Sequence, residues 1–165
     1  MTTSVESAFG SRVLVDGFLL NNQLTDFSFT PRDANGKAVA NRIQPGKRPR
    51  SSMAPVIVFR ADQPVLLLGS PGGARIIDYV AKTLIYNLDS HLPLRDAIAS
   101  PHIIAMSRGV ELEQNGNEAL MPALEALGHS VKMMPQSSGL NGIGIEGKTL
   151  TGSSDPRREG AVGGE

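Results

Sequence analysis

The sequence predicts an α+β layered domain on an antiparallel or mixed sheet, because strand-like runs at both ends flank a helical middle. Three observations carry that reading. Two apolar, β-rich runs, Pro55–Phe59 and Pro64–Leu68, stand a hairpin's length apart. One helical face runs from Ile76 to Leu88, and glycine-rich strand-and-turn sequence follows Gly139.

Taken in order, Arg12–Val15 and Gly17–Leu20 read as extended segments that break at the polar Asn21-Asn22-Gln23. Residues 30–50 are rich in Pro, Gly, Asn, Lys and Arg without apolar periodicity, which predicts a long exposed loop, a length often tied to function. The runs at 55–59 and 64–68, joined by Arg60-Ala61-Asp62-Gln63, read as paired, buried strands. Beyond Gly69-Ser70-Pro71-Gly72-Gly73, the residues Ile76, Ile77, Val80, Ala81, Leu84, Ile85 and Leu88 share one helical face. Short helices are expected over Leu94–Ala99, ended by Pro101, and over Glu118–Leu127, capped by Asn117 and stopped by Gly128. There is no internal repeat.

Composition removes several function classes. Sixteen Lys plus Arg balance sixteen Asp plus Glu, so no net field draws the chain to nucleic acid, an anionic membrane or an acidic substrate. Five Phe, two Tyr and no Trp make a poor platform for stacking bases. Without cysteine there is neither a disulfide framework nor a thiolate nucleophile, and His91, His102 and His129 lack ligand spacing, so no metal and no cofactor are expected. The three histidines read as structural or exposed. No stretch approaches the roughly 20 apolar residues of a membrane span.

Four segments offer chemistry. Gly69–Gly73 leads a strand into a helix, where consecutive glycines let the backbone approach a ligand and the amides sit at the positive helix end. This is either an anion or oxyanion site or simply a strand-to-helix turn. Ser70 is not a nucleophile elbow, because Leu68 stands where that motif needs its first glycine. Ser51-Ser52-Met53 follows the basic cluster Lys47-Arg48-Pro49-Arg50 and offers paired hydroxyls to a carboxylate or carbonyl, or serves only its own backbone. Asn21–Asp26 supplies amides and a carboxylate after a strand, where Asp26 could hold an ammonium; a turn explains it as well. Gly142–Thr149 matches the P-loop pattern letter for letter, but turn formers rather than a helix follow it, which argues against nucleotide binding.

In order, Leu19-Leu20-Asn21-Asn22-Gln23, Pro45-Gly46-Lys47-Arg48-Pro49 with Ser51-Ser52-Met53-Ala54-Pro55, Gly69-Ser70-Pro71-Gly72-Gly73 and Ser154-Asp155-Pro156-Arg157-Arg158-Glu159-Gly160 resemble γ-glutamyltransferases over nearly the whole chain. The ordered set is specific to that family. The resemblance implies an N-terminal-nucleophile hydrolase, an autoprocessed precursor with a four-layer αββα sandwich. This chain would be an incomplete part of it: residues 1–160 the C-terminal portion of the small subunit and 161–165 a flexible tail. It further implies a threonine nucleophile that attacks a γ-glutamyl amide such as glutathione and passes the acyl group to water, an amino acid or a peptide. Oxyanion-hole amides fall on Gly72 and Gly73, contacts to the glutamyl carboxylate on Ser51 and Ser52, and ligands of its α-amino group on Gln23 and Asp26.

Two departures qualify the resemblance. Glu6 stands where asparagine is common and Ser4 where a threonine commonly assists the nucleophile, substitutions associated with acylase-like members acting on other γ-linked or acyl amides. The family's T-T-H-type motif with the nucleophilic threonine is expected upstream of this chain. Met1–Ser11 resembles a segment further along the small subunit, so Thr2 and Thr3 are not assigned that role and Met1 reads as internal. The expected partner is therefore the large subunit or upstream part of the same precursor, with the chain alone inactive; the alternative is a non-catalytic remnant. The family suggests a periplasmic or extracellular address, whose signal would lie on that upstream part.

Overall fold

The computed structural model describes residues 2–6 and 9–164, so the readings placed on Met1, Ser7, Ala8 and Glu165 lie outside the described residues. The chain divides into two compact units, the first 51 residues and the remaining 114.

The first unit is mostly turns and loops. A small antiparallel hairpin pairs β1 (Leu14–Val15) with β2 (Phe18–Leu19), and a 3₁₀ turn follows over Gln23–Asp26. The expected long loop is present, pinned by two isolated bridges, Ser28 to Arg42 and Arg32 to Ala38. Asn41 fastens it to the 3₁₀ turn: its Nδ2 donates to the Asp26 carbonyl (2.6 Å), while its Oδ1 accepts from the Arg50 amide (2.9 Å).

The second unit carries two sheets. In the four-stranded sheet, β3 (Val56–Arg60), β4 (Gln63–Gly69), β8 (Asn141–Glu146) and β9 (Thr149–Ser154) lie side by side in that order, all antiparallel. The β3–β4 hairpin turns on Ala61 and Asp62, both at positive φ (45° and 63°), the backbone of a tight hairpin turn that matches the strand twist. Leu66 and Leu68 of β4 enter the core with Val56 and Val58 packed against it. The strands are paired as expected, but β3 is not buried: Ile57 and Phe59 point outward, because it ends the sheet and alternation sends every second side chain to the other face.

The second sheet holds β5 (Ile103–Met106), β6 (Gly109–Glu113) and β7 (Val131–Met134), with β5–β6 antiparallel and β6–β7 parallel. The parallel pair is connected through α3 (Leu120–Ala126), as a parallel crossover requires. This sheet was not anticipated, although Val110 and Leu112 alternate with Glu111 and Glu113 in strand fashion. The mixed α+β class is as expected.

Helix α1 (Ile76–Leu84) continues into a π-helical turn, Ile85–Asp89, and α2 (Leu94–Ala99) has the expected bounds. The buried face of α1 is rotated from the expected one. Ile76, Tyr79, Val80, Lys82 and Thr83 are buried, whereas Ile77 and Ile85 are more than half exposed. The polar members go inside because each finds a partner there. Lys82 Nζ donates to the Ala97 and Ser100 carbonyls (2.8 Å each), Thr83 Oγ1 to the Tyr79 carbonyl (2.9 Å) and the Tyr79 hydroxyl to Gln136 Oε1 (2.7 Å). Helix α3 starts two residues later than expected, and Asn117 does not cap it: its Nδ2 donates inward to the His102 carbonyl (2.9 Å). Residues 161–164 have no regular structure, yet Val162 lies over Gly152, where an added Cβ would come within 2.4 Å of Val162 Cγ1.

Candidate functional site

In the first unit three of the anticipated residues form one chain of hydrogen bonds. The Asn22 amide donates to the Ser4 carbonyl (3.0 Å), bringing the N-terminal segment against the 3₁₀ turn. Ser4 Oγ then donates to Gln23 Oε1 (2.7 Å), and Gln23 Nε2 donates to Asp26 Oδ2. The last contact follows from the turn itself, since three residues per turn stack the side chains at i and i+3. Beside it a depression of about 380 Å³ is lined by Gly10, Ser11 and Asn21–Thr25. The Asn22 Oδ1 atom is buried without a hydrogen-bond partner among the described residues. Glu6 does not join the group: it is exposed at φ 49° and makes no hydrogen bond or ion pair among the described residues. Ser51 is exposed at the end of this unit.

In the second unit the glycine turn is built from backbone that only glycine adopts readily. Gly72 has φ 140° and Gly73 φ 60°; an added Cβ on Gly72 would stand 2.6 Å from Tyr79 Cε2, and one on Gly73 would meet nothing. The turn opens a 3₁₀ turn, Gly73–Arg75, that runs directly into α1, so its amides lie at the positive end of the helix. Among the described residues no internal acceptor takes the Gly72 or Gly73 amide. Ser52 Oγ donates to the Gly73 carbonyl (2.6 Å), which fixes the serine against this turn. On the other side Arg75 forms a fork with Glu111 (2.6 and 3.0 Å); that hydrogen bonding holds the Glu111 carboxyl below its usual range.

Beneath the turn is a polar core that sequence reasoning did not assemble. His102 Nε2 lies 2.8 Å from Ser138 Oγ, Ser138 Oγ donates to Asp155 Oδ2 (2.5 Å), and Asp155 Oδ1 accepts from Arg157 Nη1 (3.1 Å). With the Ser138 proton committed to Asp155, His102 must donate through Nε2, which leaves its buried Nδ1 an acceptor without a partner among the described residues. Burial, with the positive charges of Lys82 and Arg157, pushes the His102 pKa down to about 3, so the ring is neutral. Arg157 also grips Glu113 through two nitrogens (2.6 and 2.8 Å) and donates to the Ala99 and Ser100 carbonyls. Burial opposes the Asp155 charge, but hydrogen bonds from Ser138, the Arg157 and Leu140 amides, and the Arg157 charge outweigh it, and its pKa lies below the usual value. The three residue types are those of a hydrolytic triad, yet serine occupies the middle and all are buried, so the arrangement holds the fold rather than a substrate. The only sequence signal for it was the Ser154–Gly160 run.

The P-loop match falls on the β8–β9 hairpin, where Glu146 pairs with Thr149 across Gly147-Lys148 and no helix follows. His91 and His129 are exposed and His102 is structural, as the spacing suggested. No group of three or more metal-ligating side chains gathers among the described residues, and no described helix is long and apolar enough to cross a membrane.

The family model for γ-glutamyltranspeptidase matches residues 1–165. The chain belongs to that family. The γ-glutamyltranspeptidases are N-terminal-nucleophile hydrolases, which fixes the fold class. The chain is 38% identical over 167 residues to the glutathione hydrolase proenzyme of Bacillus subtilis strain 168, covering 98% of this chain and 27% of that protein. It is 31% identical to the acylase ACY 1 proenzyme of Pseudomonas sp. strain SE83, covering 96% of this chain and 28% of the relative. Among solved structures it resembles the γ-glutamyltranspeptidase of Pseudomonas nitroreducens complexed with L-DON, at TM-score 0.78 and 33% identity, over 100% of this chain and 92% of that one. The chain thus spans little more than a quarter of the curated relatives it matches.

Proposed function

We propose that this chain supplies the oxyanion donors and glutamyl-recognition groups of an enzyme that cleaves γ-glutamyl amides, glutathione among them, working with a threonine nucleophile from a segment upstream. The observation that carries the reading is the Gly72–Gly73 turn: two amides at a helix N-terminus that no carbonyl of the described chain accepts, braced by Ser52. Amides arranged so can receive the charge that develops on a carbonyl oxygen under attack.

The steps are those of acyl transfer. The threonine hydroxyl adds to the γ-carbonyl carbon and gives its proton to the α-amine, and the carbonyl oxygen becomes an oxyanion received by Gly72 and Gly73. Collapse breaks the C–N bond, the protonated amine leaves, and an ester joins substrate to enzyme. Water then yields glutamate, or an amino acid or peptide amine yields a new γ-glutamyl amide. Ser51 and Ser52 receive the glutamyl α-carboxylate, the single Ser52 proton turning to it from the Gly73 carbonyl when substrate binds; Gln23 and Asp26 take its ammonium, and Ser4 orients Gln23 through its hydrogen bond.

A second reading is favoured by Glu6. Its free carboxylate stands at a position where asparagine is common in the family, and an acylase is among the relatives. In that case the acyl group differs while the oxyanion turn keeps its role. Turnover of a γ-glutamyl anilide beside glutaryl and adipyl anilides separates the two: preference for the γ-glutamyl compound supports the first reading, and preference for an acyl group without an α-amine supports the second. No turnover of any of them, by the chain joined to its upstream segment, would leave a non-catalytic remnant.

A further inference from the structure

We infer that Ser70, Ser138 and Asp155 form a latch that positions the Gly72 and Gly73 amides, so that the C-terminal Ser154–Arg158 run sets the geometry of the oxyanion turn. This rests on the reading that those amides receive an oxyanion. Ser52 holds only the Gly73 carbonyl, so the rest of the turn needs its own brace: both glycines hold positive φ and no described acceptor pins their amides. Ser70, next to it in sequence, is buried; its hydroxyl donates to the Pro71 carbonyl (2.7 Å) and accepts from the Gly139 amide (3.2 Å).

Gly139 belongs to a strap, 138–140, lying directly on the turn: an added Cβ there would stand 2.8 Å from Pro71 Cγ. The strap is fixed from beyond by one carboxylate. Asp155 Oδ2 accepts from Ser138 Oγ (2.5 Å) and from the Leu140 amide (3.1 Å), and the Asp155 amide returns a bond to the Leu140 carbonyl (2.8 Å). Oδ1 of the same carboxylate is held by the Arg157 amide (2.9 Å) and Nη1 (3.1 Å). The path Asp155, Ser138–Leu140, Ser70, Pro71–Gly73 is continuous, and each contact is buried or partly so. These are positioning residues; none need touch substrate.

Two substitutions test the latch from opposite directions. Ser70→Ala removes the acceptor for Gly139, and Gly139→Ala, at a φ that alanine tolerates, keeps the bonds but drives a methyl against Pro71. Backbone ¹⁵N relaxation on the whole chain reads the outcome. In Ser70→Ala the Gly72 and Gly73 order parameters fall from about 0.85 to below about 0.6, while Leu66 and Val80 hold theirs, and Ser70→Thr restores them. In Gly139→Ala the Gly72 and Gly73 resonances shift without loss of order. In the chain joined to its upstream segment, Ser70→Ala lowers kcat about tenfold with KM within a factor of two, and Ser70→Thr recovers it. Unchanged Gly72 and Gly73 order in Ser70→Ala, or change spread over the whole second unit, overturns the latch. A wild-type enzyme that fails to turn over γ-glutamyl anilide overturns the functional reading instead, while the relaxation result still decides the latch.

Discussion

The Ser52 hydroxyl donates to the Gly73 carbonyl across 2.6 Å, joining a serine assigned to the substrate carboxylate to the turn assigned to the oxyanion. Ser52→Ala therefore disturbs both ends of the acyl group: KM rises and kcat falls together. One neutral hydrogen bond is worth about 1 kcal/mol, so kcat/KM should fall about fivefold in all, shared between the two parameters. Steady-state kinetics of the enzyme joined to its upstream segment measures it, and Ser52→Thr, which keeps the hydroxyl, should recover most of the loss.

Adjacent glycines should respond differently to alanine. Gly72→Ala meets the Tyr79 ring at 2.6 Å on top of a backbone reserved for glycine, and costs roughly 2–5 kcal/mol. Gly73→Ala meets nothing and pays only its left-handed φ, about 1–2 kcal/mol. Thermal melts should place Gly72→Ala well below Gly73→Ala, and either should lower kcat by about 10²–10³-fold if its amide moves off the oxyanion.

Acid should begin to destabilise the protein before ordinary carboxylates titrate. His102 holds a folded pKa of about 3 against 6.5 outside the fold, so from pH 6.5 downward the unfolded chain takes up a proton that the folded chain refuses. Stability from this group is complete above pH 6.5 and is lost progressively toward about pH 3, by up to about 1.4 kcal/mol per pH unit. Asp155, whose folded pKa is depressed, adds its own loss only below its ordinary 3.8. Melting temperature measured from pH 7 to 4 should fall steadily, and His102→Gln should flatten that slope while lowering the starting value.

Arg157 closes the polar core, and its removal strands two carboxylates. Arg157→Ala leaves Asp155 and Glu113, whose side chains are 1% and 13% exposed, without their cation, a change that typically costs about 3–5 kcal/mol. Denaturant melts should show it directly, and Arg157→Lys, which cannot hold both carboxylates at once in the forked geometry, should recover only part.

Edge strand β3 presents Ile57 and Phe59 at 55% and 59% exposure beside an unpaired backbone. Such an edge invites pairing with other chains. Phe59→Lys should raise the concentration at which the chain stays monomeric, seen by light scattering, with little change in melting temperature because the side chain leaves no core.

The strands at 56–60 and 63–69, α2, and the long loop were legible because each has a local signature: alternation, a helix stop at Pro101, or turn formers without apolar period. Helix α1 was legible in extent but not in facing. Its inward residues include Lys82 and Tyr79, whose burial depends on a carbonyl of α2 and the side-chain amide of Gln136, beyond the reach of any local pattern. The second sheet escaped because Glu111 and Glu113 read as surface charge until Arg75 and Arg157, distant in sequence, are brought to them. Ser4 was named from resemblance, and Gln23 and Asp26 lie in a polar segment legible on its own; the three prove to be hydrogen-bonded in a row, whereas Glu6, named from resemblance, stands apart. The latch under the glycine turn was invisible because the bonds that join Asp155 to Ser138 and Leu140, and Gly139 to Ser70, each span 15 residues or more of sequence.

The most direct test of the central claim is hydrolysis of a chromogenic γ-glutamyl anilide by the purified chain, run beside the same chain joined to an upstream segment bearing a T-T-H motif. The account predicts turnover only in the longer protein, lowered by Gly72→Ala and by Ser52→Ala. Turnover by the chain alone would contradict it and return Thr2, Thr3 and Ser4 to consideration as the nucleophile.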